Sequence, residues 1–290
     1  MKDLNIFFID KKPFSQLVGL FFLFLFSFII SSGLMLLIPE VGSGDAAIRF
    51  QLVQQALSQL LNFLLPACLF ALLFQPQGSN YFQFHWQGRH WGLAAVGMVI
   101  MLLVAPANDY ITAWNDGWNL GPLESSMRRL SDLAKTQIEQ MLSLSSIPDL
   151  LLQLFVVALL PAVCEELFFR GGVQQILHRW FGSPHAAIIV ASLIFSLAHG
   201  DLYGLIPRFF LGLVLGYLFF YSGSMLVNVC AHFLNNAMVV LLCFLNHRGV
   251  LSFSPTDPLG MPWYVTLPCL LAALLLFLVY FIKNDAKRIR

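Results

Sequence analysis

The most informative run of this sequence is Cys164-Glu165-Glu166-Leu167-Phe168-Phe169-Arg170. It places two adjacent carboxylates and a guanidinium inside one of the most apolar regions of the chain. Ionisable side chains are costly to remove from water, so those found within membrane spans are rare and usually functional. The run therefore predicts a functional site that is embedded in a membrane.

The composition of the whole chain is typical of a membrane protein. Of its 290 residues, 58% are hydrophobic, 28 are phenylalanine and only 11% are charged, whereas a soluble domain carries about 25% charged residues. The net charge of +1 provides no basic field to collect phosphates, which argues against nucleic acid as a partner. The five cysteines lie in apolar runs without metal-binding or disulfide spacing.

The hydrophobic runs predict an all-α, polytopic membrane protein with a bundle of about eight transmembrane helices. The predicted spans are residues 15–38, 52–74, 91–107, 149–169, 185–200, 207–221, 224–246 and 262–282. An even number of spans places both termini on one side of the membrane. Basic residues at the two ends predict that this side is the cytoplasm, since positive charge favours the inner side. These residues are Lys2, Lys11, Lys12, Lys283, Lys287, Arg288 and Arg290. We expect a multi-pass protein of the cell (inner) membrane.

The spans divide the chain into three parts. Residues 1–148 hold three predicted transmembrane helices and a long polar connection, residues 149–246 hold the polar motifs, and residues 247–290 hold the last helix and a basic tail. Within the connection, apolar residues from Leu123 to Met141 recur at three- and four-residue steps, which predicts an amphipathic helix. The pattern fits a helix lying on the membrane interface and a soluble helix packed on the bundle equally well.

The two glutamates are expected to have different roles. Neighbouring residues on a helix point about 100° apart, so Glu165 and Glu166 cannot face the same way. Glu166 is four residues before Arg170 and within reach of an ion pair, which leaves Glu165 as the freer carboxylate, suited to act as a general base. The alternative is that both glutamates lie at a helix end beyond the bilayer.

Two further polar motifs lie in the following spans. Glu165 lies seventeen positions before Gly182 and His199 seventeen positions after it, so a helical hairpin turning at Gly182 would bring them to the same level. His232 and Asn236 are four residues apart and share one helix face. Ser224 and Asn228 extend that face and fit interhelical hydrogen bonding equally well. Gly212 and Gly216 predict close helix packing, and Arg208 is expected to snorkel toward the interface, although it could also line the cavity or bind an anion.

Together the three motifs resemble the CPBP superfamily, which groups the CAAX prenyl endopeptidases with bacterial abortive-infection and bacteriocin-immunity-like membrane proteins. The motifs are Glu-Glu-x-x-x-Arg (Glu165, Glu166, Arg170), Phe-x-x-x-His (Phe195, His199) and His-x-x-x-Asn (His232, Asn236). The resemblance implies an intramembrane protease whose catalytic set is formed by the glutamates, the histidines and the asparagine. Glu165, helped by His199, would activate water, and His232 and Asn236 would stabilise the oxyanion. Arg170 and Phe195 would be structural.

The participation of a metal is open at this stage. Glu165, His199 and His232 could ligate zinc with one open position, and the family is usually labelled metalloprotease. The HExxH pairing of many zinc proteases is absent, and an acid/base mechanism needs no metal. No organic cofactor is expected.

The function expected from the motifs is an endopeptidase that acts on a membrane-embedded or lipidated peptide, near the cytoplasmic side. A non-proteolytic membrane partner or immunity-type scaffold of the same fold is the alternative. A transporter that uses the acids as a proton relay is a third possibility, although the chain has no internal repeat of the kind that many transporters carry.

Overall fold

The computed structural model describes residues 12–37, 42–76, 80–251 and 257–282, and within these ranges it contains helices and no strand. The α-helices are α1 Pro13–Leu37, α2 Asp45–Gln59, α3 Leu65–Phe74, α4 Gly88–Asp116, α5 Glu124–Met141, α6 Ile147–Gln153, α7 Leu160–Glu166, α8 Gln175–Phe181, α9 Pro184–Leu197, α10 Leu205–Ser222, α11 Met225–His247 and α12 Trp263–Phe277. Four π-helical segments, Leu60–Leu64, Leu154–Leu159, Leu167–Gln174 and Leu278–Ile282, continue or join these helices.

Seven of the continuous helices are long and apolar enough to cross a membrane. They are Pro13–Leu37, Asp45–Phe74, Gly88–Asp116, Ile147–Phe181, Leu202–Ser222, Met225–His247 and Trp263–Ile282. The predicted all-α polytopic membrane bundle is confirmed. The remaining predicted span, at residues 185–200, corresponds to α9, whose 14 residues cover about 21 Å at 1.5 Å per residue, less than the hydrocarbon core.

Two helices are longer than the hydrophobic runs suggested. Helix α4 contains Pro106 and continues to Asp116, beyond the predicted end at residue 107. The fourth span continues unbroken from Ile147 to Phe181, past the predicted end at residue 169. Helix α10 begins at Leu205 and has Pro207 in its first turn, where proline is tolerated.

Close packing of α9 against α10 positions the polar motifs at the centre of the bundle. The turn between α8 and α9 uses Gly182 in the left-handed conformation (φ 67°), and the Ser183 side chain caps the next helix. A Cβ atom at Gly212 would lie 2.9 Å from the Ser192 Cβ, and one at Gly216 would lie 2.7 Å from the Ile188 Cγ2. The predicted role of the two glycines in close helix packing is confirmed.

The two ends of the bundle can be told apart by contacts between chain segments. At one end Arg179 donates to Gln16 near the start of α1, over 2.7 Å. At the other end Asn115 donates to the Leu202 carbonyl over 3.1 Å, three residues after His199. His199 therefore lies at the end opposite the start of α1.

The predicted orientation, with cytoplasmic termini and a site near the cytoplasmic side, stays a prediction, because Glu165 lies near the middle of the continuous helix Ile147–Phe181. Of the lysines and arginines that predicted a cytoplasmic location for the termini, all except Lys12 lie outside the described residues.

The amphipathic helix predicted in the polar connection is present as α5, Glu124–Met141. Its buried side packs through Arg128, whose guanidinium lies 3.6 Å from the centre of the Tyr203 ring and pairs with Asp116. Part of its apolar side is exposed, at Leu130 and Leu133 among others. This arrangement leaves an apolar strip of α5 uncovered by the described residues.

Candidate active site

Glu165 and Glu166 end helix α7 and precede the π-helical segment Leu167–Gln174. Glu165 is 6% exposed and Glu166 is fully buried. The alternative that they lie at the end of the membrane-spanning helix is wrong, because the continuous helix extends to Phe181. Single π turns inside helices are rare and occur frequently at functional sites.

Three side chains hold the Glu166 carboxylate. The Arg170 Nη1 lies 3.1 Å from Oε1, which confirms the predicted ion pair. The His232 Nδ1 lies 2.8 Å from the same oxygen, and the Asn228 amide donates to Oε2. Because an ionised carboxylate can only accept, this contact places a proton on Nδ1 of His232 and sets the orientation of the ring.

Glu165 has a different environment. Its Oε1 accepts a hydrogen bond from the Gln59 Nε2 over 3.2 Å, and its Oε2 lies 4.0 Å from the His232 Nε2. A separation of 4.0 Å is too long for a direct hydrogen bond, but both atoms could contact one water molecule between them. Glu165 is therefore the carboxylate with an oxygen available for chemistry, as its predicted role requires.

The polar face of α11 serves two purposes. Ser224 donates to the His85 carbonyl over 2.7 Å, and Asn228 donates to Glu166, so both join α11 to other segments. This agrees with the alternative of interhelical hydrogen bonding for these two residues. His232 is further along the same face and is the residue that reaches both glutamates.

Asn236 lies one turn beyond His232 and is half-buried. Its Oδ1 accepts a hydrogen bond from the Asn235 Nδ2 over 3.2 Å. Since the Asn236 amide group uses its oxygen in this contact, its Nδ2 is oriented away from Asn235. The structure thus places Asn236 on the face of the site but records no hydrogen bond to Glu165 or His199 among the described residues.

Phe195 and His199 form the side of the site contributed by α9. The His199 Nδ1 donates to the Phe195 carbonyl over 2.8 Å, which leaves Nε2 able to accept. The Phe195 ring centre lies 4.9 Å from that of His199 and 6.3 Å from that of His232, so Phe195 separates the two imidazoles.

Arg170 links the π segment Leu167–Gln174 to α10 and α9. It is 1% exposed, its Nη2 donates to the Gly212 carbonyl over 3.1 Å, and its Cζ lies 4.8 Å from the Phe195 ring centre. Phe169 and Phe195 lie thirteen positions before and after Gly182, and their ring centres are 5.1 Å apart. The two helices therefore meet in the register predicted for Glu165 and His199.

Arg208 forms an ion pair close to His199 rather than snorkelling freely toward the membrane interface. Its Nη1 lies 2.8 Å from the Asp201 Oδ2, two residues after His199. Burial acts to raise the pKa of Asp201, but the hydrogen bond and charge of Arg208 outweigh it and hold that pKa below its usual range. Asp201 and Arg208 thus form a salt bridge beside His199 at neutral pH.

The geometry does not fit a tetrahedral zinc ion as it stands. Ligands at zinc distances of about 2.0–2.2 Å and a tetrahedral angle are separated by roughly 3.3–3.6 Å. The Glu165 Oε2 and the His232 Nε2 are 4.0 Å apart, and no three His, Cys, Asp or Glu side chains of the described residues form a metal-binding group. Binding of a zinc ion by Glu165, His199 and His232 stays a prediction, which metal analysis can test.

Gln59, which lies 106 positions from Glu165 in the chain, was not among the predicted site residues. The partner of Asn228 and the π segments were not predicted either. Gln59 is one of several glutamines in its helix, so hydrophobic patterning alone does not separate it from Gln55 or Gln51. Its position directly before the π segment Leu60–Leu64 is visible only in the structure.

Comparison with known proteins adds one finding. Residues 147–238 match the sequence model of the family described as type II CAAX prenyl endopeptidase Rce1-like. The matched segment contains all three motifs and every predicted site residue. No curated protein and no solved structure matches the chain.

Proposed function

We propose that this chain is an intramembrane endopeptidase that uses Glu165 to activate water, on the ground that its residues 147–238 match the CAAX prenyl endopeptidase family. The bond cleaved would be a peptide bond of a membrane-embedded or lipidated peptide. One observation supports the mechanism above all others. The buried Glu165 presents one oxygen 4.0 Å from the Nε2 of a histidine whose ring is held by a second, ion-paired glutamate.

In the proposed reaction, Glu165 takes one proton from a water molecule as the water oxygen attacks the carbonyl carbon. His199 orients that water through Nε2, which its hydrogen bond to the Phe195 carbonyl leaves free to accept. The protonated Glu165 then gives the proton to the leaving nitrogen as the carbon–nitrogen bond breaks. The carboxylate is thereby regenerated, and general base and acid roles fall to one group.

The negative charge that develops on the carbonyl oxygen needs hydrogen-bond donors. A doubly protonated His232 would donate through Nδ1 to Glu166 and through Nε2 to the oxyanion, while the Glu166 carboxylate compensates the ring charge. Asn236, one turn along α11, would supply a second donor through Nδ2. In this mechanism Glu166 and Arg170 act by orienting His232.

An apolar cavity supports a lipidated or hydrophobic substrate. It has a volume of about 600 Å³ and is lined by side chains of α1, α9 and the π segment after Glu166, including Phe168, Phe169, Leu197 and Ala198. Ala198 directly precedes His199, so the cavity adjoins the proposed site. A hydrophobic chain in this cavity would bring the attached peptide close to His199.

The test is hydrolysis by the purified protein in lipid nanodiscs. Peptides with a C-terminal prenylated cysteine motif, the same peptides without the lipid, and a membrane-spanning peptide would be offered in parallel. We expect cleavage of at least one of them, and a loss of at least about 100-fold in kcat for Glu165→Gln without a loss of thermal stability. Full activity in this variant would rule out the mechanism.

Metal analysis of the same preparations separates the two mechanistic classes. The acid/base proposal expects chelators to leave the rate unchanged and purified protein to carry no stoichiometric zinc. Stoichiometric metal that is lost in Glu165→Gln, together with chelator sensitivity, would replace it with the metalloprotease alternative. A folded protein that cleaves none of the three peptide classes, and whose biological effect survives Glu165→Gln, would favour the non-proteolytic partner.

A further inference from the structure

We propose that Gln59 is a positioning residue of the proposed hydrolytic site, where it holds the Glu165 carboxylate in place for proton transfer. This inference rests on the proposed function, because it assigns Gln59 to the same reaction. Gln59 lies outside the family segment at residues 147–238, so none of the three motifs includes it. The contact that carries the inference joins the first half of the chain to the motif-bearing half.

The geometry of the contact defines the orientation of the amide. The Gln59 Nε2 lies 3.2 Å from the Glu165 Oε1, and the two side chains are 7% and 6% exposed. An ionised carboxylate offers only acceptors, so the amide must present its NH₂ group rather than its oxygen. With Oε1 held by Gln59, the second oxygen of Glu165 is the one directed toward His232.

The other end of the amide distinguishes this contact from ordinary packing. The Gln59 Oε1 is buried and has no hydrogen-bond partner among the described residues. An unpaired buried acceptor destabilises a fold, and a purely structural position would be filled more favourably by an apolar side chain. Beside a general base, however, an amide has a role that an apolar side chain lacks, because its NH₂ group restrains the carboxylate.

The proton balance follows from this arrangement. Of the two hydrogens of the water, one moves to Glu165 as the oxygen attacks, and the other, which the His199 Nε2 accepts in a hydrogen bond, stays on the oxygen in the tetrahedral intermediate. Gln59 itself gains and loses no proton. It restrains the base through its Nε2.

The backbone changes from an α-helix to a π-helix directly after Gln59. Gln59 is the last residue of α2 and directly precedes the π segment Leu60–Leu64, just as Glu166 directly precedes the π segment Leu167–Gln174. The first π segment packs against α7, which carries both glutamates. A π turn changes the angular position of the residues that follow, so the helix can pack apolar side chains after presenting a polar one to its neighbour.

A matched control is available three residues away. Asn62 is 8% exposed, lies within the π segment and also has an unpartnered oxygen, but its amide donates to Ser58 rather than to the site. We therefore compare Gln59→Met, which keeps length and removes both hydrogen-bonding groups, with Asn62→Leu. Both variants remove a buried amide from the same helix, and only the first touches Glu165.

We expect Gln59→Met to lower kcat by about 10- to 100-fold with KM changed less than about twofold, because a misplaced base slows the chemical step but not binding. Asn62→Leu should leave kcat at the parent value. In a Glu165→Gln background, Gln59→Met should cause no further loss, since the group it positions is gone. The melting temperature should not fall in Gln59→Met.

Several results would overturn the inference. These are parent kcat in Gln59→Met, an equal loss in both amide variants, or a full additional loss in the Glu165→Gln background. If the parent cleaves and depends on Glu165 while Gln59→Met is fully active, the proposed function stands and the inference alone fails. If no variant and no parent cleaves, both fail together.

A spectroscopic readout tests the contact without reference to turnover. The infrared difference spectrum of parent minus Glu165→Gln isolates the carboxylate band of Glu165. We expect Gln59→Met to shift this band and Asn62→Leu to leave it in place, because, of these two amides, Gln59 donates to the carboxylate and Asn62 donates to Ser58. An unshifted band in Gln59→Met would contradict the proposed hydrogen bond.

Discussion

At the scale of single residues, two adjacent glutamates are separated in role by what surrounds them. Glu166 is fully buried and compensated by Arg170, His232 and Asn228, whereas Glu165 is restrained on one oxygen only. A compensated carboxylate contributes to structure and orientation. A carboxylate with a free oxygen beside an imidazole can transfer a proton.

The ion pair at the centre of the site leads to a stability prediction. Arg170→Met removes the charge that compensates Glu166 and the donor to the Gly212 carbonyl, so we expect the free energy of unfolding to fall by about 3–5 kcal/mol. Reversible unfolding in detergent micelles measures this loss. Arg179→Met, an exposed cation on the same continuous helix, should change it little, and an equal loss in both variants would contradict the argument.

The oxyanion role proposed for Asn236 leads to a kinetic prediction. Asn236→Ala should lower kcat by about 10²- to 10³-fold, the usual effect of removing one such donor, with a smaller change in KM. The neighbouring amide provides the control, because Asn235 contacts Asn236 but lies on a different face of α11. Steady-state kinetics on Asn235→Ala should give nearly the parent rate, and a similar loss there would point to a packing effect.

At the scale of helices, the contact of α9 with α10 determines whether the motifs meet. A Cβ at Gly212 would lie 3.1 Å from the Cα of Ser192, and backbone cannot move aside as a side chain can. Separation of the two helices would carry Phe195 and His199 away from α11. The small residues of α10 are therefore as important to the site as the polar ones.

Gly212→Ala should reduce the free energy of unfolding by about 1–3 kcal/mol through overpacking and lower activity with it. Gly92→Ala in α4 is the control, since an added Cβ there would meet nothing within 4 Å. Because alanine is the better helix former, the control should be neutral or slightly stabilising. Thermal unfolding in micelles of the two variants checks the prediction, which fails if both behave alike.

The exposed apolar strip of α5 leads to a prediction about the bilayer. Leu130 is 51% exposed, and a surface helix with an uncovered apolar side lowers its free energy by resting at the lipid interface. An environment-sensitive fluorophore at Leu130→Cys should shift to the blue in liposomes, whereas one at Thr136→Cys, on another exposed face, should not. Equal spectra at the two positions would favour the soluble-helix alternative.

At the scale of the whole molecule, His199 lies toward the end of the bundle away from the start of α1, and Glu165 lies near the middle of its continuous helix. The cation of Arg179 contacts Gln16 at one end, and Asn115 contacts Leu202 near His199 at the other. These two contacts therefore distinguish the two ends of the bundle.

Labelling with a membrane-impermeant thiol reagent tests this arrangement in sealed vesicles. Gly88→Cys lies at the end where α1 starts, and Ser145→Cys lies at the end of His199, both at exposed positions. We expect the two variants to react from opposite sides of the membrane, with the parent protein as the blank for its own cysteines. Reaction of both from one side would contradict the described fold.

The sequence by itself determined the helical class, most of the spans, the three motifs and the pairing of Glu166 with Arg170. Each of these depends on local quantities, namely the hydrophobicity of a segment and the spacing of residues along one helix. Counting equal numbers of residues before and after Gly182 also predicted correctly how the fourth span packs against α9. A tight turn sets the register of a helical hairpin.

The side chains that restrain the two carboxylates became visible only in the three-dimensional structure. The contacts of Glu166 with His232 and of Glu165 with Gln59 cross 66 and 106 positions of the chain. Such contacts depend on how helices cross and on π turns that change the angular position of the residues that follow. Sequence periodicity describes one helix at a time and contains no information about that crossing.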